Sequence, residues 1–142
     1  MNGLGKIPFV SAIVAVLGLA DAIYLVIHHY NAEPVPCGAG FDCEMVLTSQ
    51  WAEIGGIPLA AFGAGAYFVA FALAVLAAYG NRTMWKMHGV VVTLMACVSI
   101  YLVYLQAYRI GAFCQYCLVS AGTSLTLCVL FWISTLLARR SA

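Results

Sequence analysis

Four blocks of the chain are almost wholly apolar, roughly 8–28, 57–79, 88–108 and 116–138. Each is long enough to cross a bilayer as a helix, which takes about 20 residues. The segments between them are polar, and the longest, from His29 to Gly56, carries Glu33, Asp42, Glu44 and Glu53 with no Lys or Arg. Within it Pro34, Pro36, Gly38 and Gly40 predict irregular chain around Cys37. After Cys43 the spacing changes. Apolar residues at Met45, Val46, Leu47 and Trp51 predict a short amphipathic helix over 44–52, lying on the membrane surface with Trp51 as its interfacial anchor. Ile54-Gly55-Gly56-Ile57-Pro58 should end that helix and begin the second span, with Pro58 in its first turn. The pattern predicts an all-α integral membrane protein, a bundle of four transmembrane helices with an outer loop carrying a short interfacial helix.

Composition agrees with that reading. Hydrophobic residues make up 65% of the 142 and charged residues 8%, against about 25% charge in soluble domains. A single membrane domain over 1–142 is expected. The few charges orient it: Lys6, the pair Arg82 and Lys86, and Arg139-Arg140 fall on one side, opposite the acidic loop. By the positive-inside rule both termini and the turn at 80–87 are expected to be cytoplasmic, and the acidic loop and the turn at 109–113 outside. Arg109 alone runs against this trend. The first apolar block continues past the small-residue site Ala20-Asp21-Ala22 through Ile23, Leu25 and Ile27, so a retained span is expected there and not a cleaved signal peptide. No basic cluster exceeds Arg139-Arg140, and nucleic acid is not an expected partner.

The candidate chemistry is in the cysteines. Of six, Cys97 and Cys128 fall inside apolar blocks and are expected to be buried small hydrophobes. The other four form two pairs on the outer side, Cys37/Cys43 and Cys114/Cys117, as suits an oxidising compartment. Cys114-x-x-Cys117 stands at the start of the fourth predicted helix, where unpaired N–H groups and the helix dipole favour a thiolate. Cys114 is expected to be the outer, more exposed thiol. Thiolate attack on a disulfide moves two electrons from one pair to the next. Two dithiols on one face, one of them on a mobile loop and the other bordering lipid, therefore suit a relay ending at a lipid-soluble acceptor such as a quinone. Structural zinc is the competing use of four cysteines, but Cys37-x5-Cys43 is wider than usual ligand spacing, and no metal is expected. Helical spacing puts Asp21, Tyr24 and His28 on one face near the outer end of the first span. Asp21 is the acidic residue inside a predicted span, a candidate for proton delivery or for a structural hydrogen bond. His28-His29, without a third ligand, reads as polar boundary residues.

The order Cys37-x5-Cys43, Cys43-x5-Ser49-x-Trp51, Gly55-Gly56-Ile57-Pro58 and Phe113-Cys114-x-Tyr116-Cys117 resembles the vitamin K epoxide reductase (VKOR) family in its prokaryotic form, over nearly the whole chain. The resemblance implies a four-helix bundle around a quinone of menaquinone, ubiquinone or vitamin K type. It implies that Cys114 and Cys117 are the active-site pair, with Cys117 nearest the quinone and Cys114 exchanging with Cys43. Cys37 and Cys43 would be the shuttle pair, and Ser49 matches a hydroxyl residue the family carries on its loop helix. The chain departs from the family where members acting on vitamin K have an Asn early in the second span and a Tyr four residues after the second active-site cysteine. Leu59 and Ala121 stand there. Ser49, Leu59, Ala121, Cys117 and Asp21 are thus the candidate quinone contacts, and plain quinone reduction is expected in preference to the alternative, vitamin K quinone or epoxide reduction. Many prokaryotic relatives carry a fused thioredoxin-like domain, whereas this chain ends three residues after Arg139. The electron donor is therefore expected to be a separate thioredoxin-fold, DsbA-like protein. A reading from another class is a thiol-lined heavy-metal carrier, which would need Cys97 and Cys128 as further ligands.

Overall fold

The computed structural model describes residues 4–141. Four long helices dominate it: α1 (Ile7–Asn31), α3 (Leu59–Ala78), α4 (Arg82–Leu105) and α5 (Gln115–Arg140). They form a ring in which α1 and α4 each pack against both α3 and α5, so α1 and α4 face each other across the bundle. All four are long and apolar enough to cross a membrane, yet only between 22% and 33% of each apolar stretch is buried inside the protein. The outward surface is nearly all hydrophobic, as lipid contact requires. The fold is an all-α, multi-pass membrane bundle.

Small residues set how closely the helices approach. Ala15, Ala22, Ala70 and Val92 are buried at the centre with Tyr67 and Leu127. A Cβ at Gly18 would overlap the Tyr67 ring, and one at Gly89 would overlap Phe131, so α1–α3 and α4–α5 contacts both depend on a missing side chain. The Tyr67 hydroxyl then reaches α5, where it meets the Ser120 carbonyl and the hydroxyls of Ser120, Thr123 and Ser124. Those three side chains form one stripe of α5 by their spacing. One tyrosine thus ties α1 to α3 by packing and α3 to α5 by hydrogen bonds.

The predicted elements shift at their ends for local reasons. α4 starts at Arg82 and not near 88, because the Asn81 side chain accepts hydrogen bonds from Thr83 N–H (3.1 Å) and Met84 N–H (3.2 Å) and caps it. At its other end α4 widens into a π-helical segment, Gln106–Ile110, closed by Gly111 in the left-handed region. The predicted surface helix over 44–52 is shorter than expected: α2 covers only Cys43–Leu47. The Thr48 hydroxyl donates to the Glu44 carbonyl and the Ser49 hydroxyl to that of Val46, and this local bonding competes with further helix. Trp51 falls in the turn beyond, partly exposed. Glu53–Ile54 (β1) and Ile57–Pro58 (β2) then pair as a two-residue antiparallel hairpin, with Glu53 opposite Pro58. Its turn, Gly55-Gly56, has φ of 60° and 84°, which glycine adopts without strain. Pro58 is accordingly the residue that caps α3, and α3 begins at Leu59.

Candidate functional site

The site is built where the loop between α1 and α3 folds over the start of α5. Asp42 caps α2 by accepting from Met45 N–H at 3.1 Å, and the Glu44 carboxylate accepts from Val35 N–H at 3.0 Å, which draws the irregular first half of the loop against the helix. Cys37 and Cys43 are joined as a disulfide with Cα atoms 6.1 Å apart. This bridged segment is held on the Cys-x-x-Cys by three hydrogen bonds. The Tyr116 hydroxyl donates to the Pro36 carbonyl (3.0 Å), Gly38 N–H donates to Gln115 Oε1 (2.9 Å), and Asp42 N–H donates to the Phe113 carbonyl (2.9 Å). The loop expected to be mobile is thus fastened on both sides of its disulfide.

Cys43 and Cys114 are buried in one apolar cluster with Leu25, Val35 and Val46, and Cys37 and Cys117 pack against it. All four of these cysteines therefore share one cluster. Cys114 and Cys117 are free thiols, so one pair is oxidised while the other is reduced. The expectation that Cys114 would be the exposed thiol is corrected. It is fully buried, because the loop lies over it, and Cys117 is the more accessible of the two. Cys114 caps α5 in extended conformation, its carbonyl accepting from Leu118 N–H at 3.0 Å. Its own N–H donates to Gln106 Oε1 (3.0 Å) at the π-helical end of α4, where Gln106 is buried. A hydrogen bond from the Cys117 thiol lowers the Cys114 pKa to about 7, against the opposing effects of burial and of the Asp21 carboxylate. Cys114 is poised as a thiolate near neutral pH.

Beneath the loop a cavity of about 810 Å³ opens between the helices, within the range of about 300–1,000 Å³ usual for small-molecule sites. Cys117 lines it, as do Asp21, Ser49, Leu59 and Ala121. Most of the wall is apolar, with Leu94, Val98 and Leu102 of α4 facing Phe62 and Ala66 of α3. The Ser49 hydroxyl is already engaged with the Val46 carbonyl at 2.7 Å, so it contributes an occupied hydroxyl. Leu59 and Ala121 contribute no hydrogen-bonding side chain. Asp21 Oδ2 is buried without a hydrogen-bond partner. A flat, largely apolar ring system with polar edges fits such walls, and the residues present are compatible with a quinone. Tyr24 stands beside the site, its ring 4.3 Å from His28 and 5.1 Å from Tyr116, centroid to centroid.

Cys97 and Cys128 are not buried as expected. Cys97 is exposed and Cys128 partly so, both on outward faces where lipid, not a core, replaces water. Neither lines the cavity, and among the described residues no three His, Cys, Asp or Glu side chains gather as metal ligands. A carrier needing ligands through the bundle draws no support from this arrangement.

Three contributors escaped the sequence reading. Gln115 was the unspecified position of Phe113-Cys114-x-Tyr116-Cys117, Tyr116 was named there without a role, and Gln106 was one polar residue at the end of an apolar block. The readable signal was their type: amide and phenol side chains beside two cysteines have hydrogen bonds to make once buried. A membrane bundle, a closed loop disulfide docked on an open dithiol, and an apolar cavity reached by one of its thiols are together the features of a membrane redox protein. Residues 9–132 match the family model described as Vitamin K epoxide reductase family, and the chain belongs to that family of membrane oxidoreductases, linked in general to quinone and vitamin K chemistry.

Proposed function

We propose that the protein is a membrane thiol oxidase that takes electrons from a separate DsbA-like, thioredoxin-fold protein and passes them to a membrane quinone, supporting disulfide formation. The observation that carries this reading is the shared cluster: a closed Cys37–Cys43 bridge packed against the reduced Cys114/Cys117 pair, with Cys117 opening onto the cavity. A donor thiolate attacks the bridge at Cys37, the less buried sulfur, and the donor's second thiol resolves the mixed disulfide, leaving the loop pair reduced. Cys43 then attacks a Cys114–Cys117 disulfide at Cys114, and Cys37 resolves that intermediate. The loop bridge is restored and the active-site dithiol is left carrying two electrons. The arrangement described above corresponds to this last state. A quinone bound in the cavity would accept those electrons. Cys117 would face it, and Cys114 would close the disulfide with Cys117 as the two electrons leave. Because Leu59 and Ala121 bring no donor to the wall, plain quinone reduction is favoured over epoxide reduction. In this reading the cysteine pairs lie on the outer face and both termini in the cytoplasm, as the loop charges indicate.

The test is stoichiometric. Purified protein given a reduced thioredoxin-fold donor and a soluble quinone analogue should oxidise two donor thiols for each quinone reduced. Cys114→Ala and Cys117→Ala should each abolish this, while a donor lacking its second, resolving thiol should accumulate as an adduct on Cys37 of the otherwise unchanged protein. Quinone reduction that persists without Cys117, or donor oxidation without quinone loss, would remove the reading.

A further inference from the structure

Asp21 is a carboxylic acid inside a membrane span, and nothing in its surroundings explains it as a structural group. Its Oδ2 is buried without a hydrogen-bond partner, and it lines the cavity that Cys117 also lines. The titratable groups on that cavity come from every element around it. They are His28 and His29 from α1, Glu33 from the following loop, Glu44 from α2, Glu53 from β1, Tyr67 from α3 and Cys117 from α5. No lysine or arginine lines it among the described residues, so no ion pair locks the Asp21 carboxylate. Intramembrane acids are costly, and those facing a cavity mark substrate pathways and proton relays.

The other groups lead from Asp21 to water. His28 lies two helical turns further along the same face of α1, about 10 Å in rise. Its Nδ1 is 3.8 Å from Glu33 Oε2, and Glu33 is exposed. Beside it His29 Nε2 sits 3.1 Å from Glu53 Oε1, also at the exposed rim. Asp21 and His28 both line the cavity, whose volume leaves room for water to span the distance between them.

We propose, on the basis of the quinone reading above, that Asp21 gives a proton to the bound quinone and is refilled from the outer face through His28 and Glu33. The balance of the step asks for such a donor. Reduction of a quinone to a quinol takes two electrons and two protons. With Cys114 as thiolate and Cys117 as thiol, the dithiol supplies both electrons and one proton as the Cys114–Cys117 bond forms. Asp21 supplies the second proton and is left as carboxylate until His28 returns one from Glu33 and the aqueous rim. Tyr24, packed on His28 between the two, keeps the imidazole on the cavity side.

Two measurements test this, one of them without quinone. Infrared spectra of the quinone-free protein at mildly acidic pH should contain a protonated carboxyl band that disappears in Asp21→Asn. On transfer to heavy water that band should shift rapidly in the wild type and slowly in His28→Gln and in Glu33→Gln, the latter an exposed change that should leave folding intact. In turnover, Asp21→Asn should lose about 100-fold in the rate of quinone reduction, the scale of a lost general acid, and Asp21→Glu should recover most of it. Absence of an Asp21 carboxyl band, or exchange as fast in both path variants as in the wild type, overturns the path. Turnover of Asp21→Asn at the wild-type rate overturns the donor. If the wild type itself reduces no quinone, the proposed function fails on that arm, while the exchange arm still decides whether Asp21 is connected to the outer face.

Discussion

At Cys114, burial and thiolate character coincide, although burial in apolar surroundings by itself raises a thiol's pKa. The hydrogen bond from Cys117 outweighs it and brings Cys114 to about 7, below the roughly 8.5 of a free cysteine. Lowering a thiol's pKa enlarges its thiolate fraction at a given pH, so Cys114 should be half ionised near pH 7 and protonated well below it. Ultraviolet absorbance of the thiolate, followed by pH titration in a background of Cys97→Ala and Cys128→Ala with the Cys37–Cys43 bridge intact, should give that midpoint. In Cys117→Ala the midpoint should rise, since burial is then opposed only by the backbone N–H groups of Tyr116 and residue 117. An unchanged midpoint would mean that the neighbouring thiol is not the cause. Both cysteine pairs were legible in the sequence as chemistry, from their spacing and their polar surroundings. Their exposure was not, because what buries Cys114 is a loop joined to it by contacts between residues about 75 positions apart.

Among the elements, α1 and α3 approach as closely as they do because Gly18 leaves room for the Tyr67 ring. Adding one methyl group should force the two helices apart, at about 1–3 kcal/mol. Gly18→Ala should therefore unfold at lower temperature in detergent, whereas Gly65→Ala, where an added Cβ meets nothing within 4 Å, should not. Equal stability of the two variants would show that the contact carries no weight. The same ring reaches Ser120, one turn after Cys117, so displacing it should also slow turnover by shifting the start of α5. The four spans were legible to within a few residues because length and hydropathy alone decide what crosses a bilayer. The ends were not, since they depend on caps and local bonds: Asn81 extends α4, and the Thr48 and Ser49 hydroxyls cut α2 short.

For the whole molecule, the proposed side of the chemistry rests on the few charges, with Lys6, Arg82, Lys86 and Arg139-Arg140 gathered opposite the acidic loop in the sequence. A membrane-impermeant thiol reagent added to intact cells after mild reduction should label Cys37 and Cys43. Labelling that appears only once the membrane is breached would reverse the orientation. The bundle was readable in the sequence because each span is apolar by itself, but the docking of loop on dithiol was not, because it is made largely with backbone groups. The carbonyl of Pro36 and the N–H groups of Gly38 and Asp42 serve as the loop's half of the fastening. Backbone groups survive most substitutions. The loop can therefore drift in sequence and keep its seat, and its exposed face is left free to be remodelled. The constraint is displaced onto Gln115 and Tyr116, whose side chains make the other half, so the two residues between the cysteines are here among the motif's least replaceable.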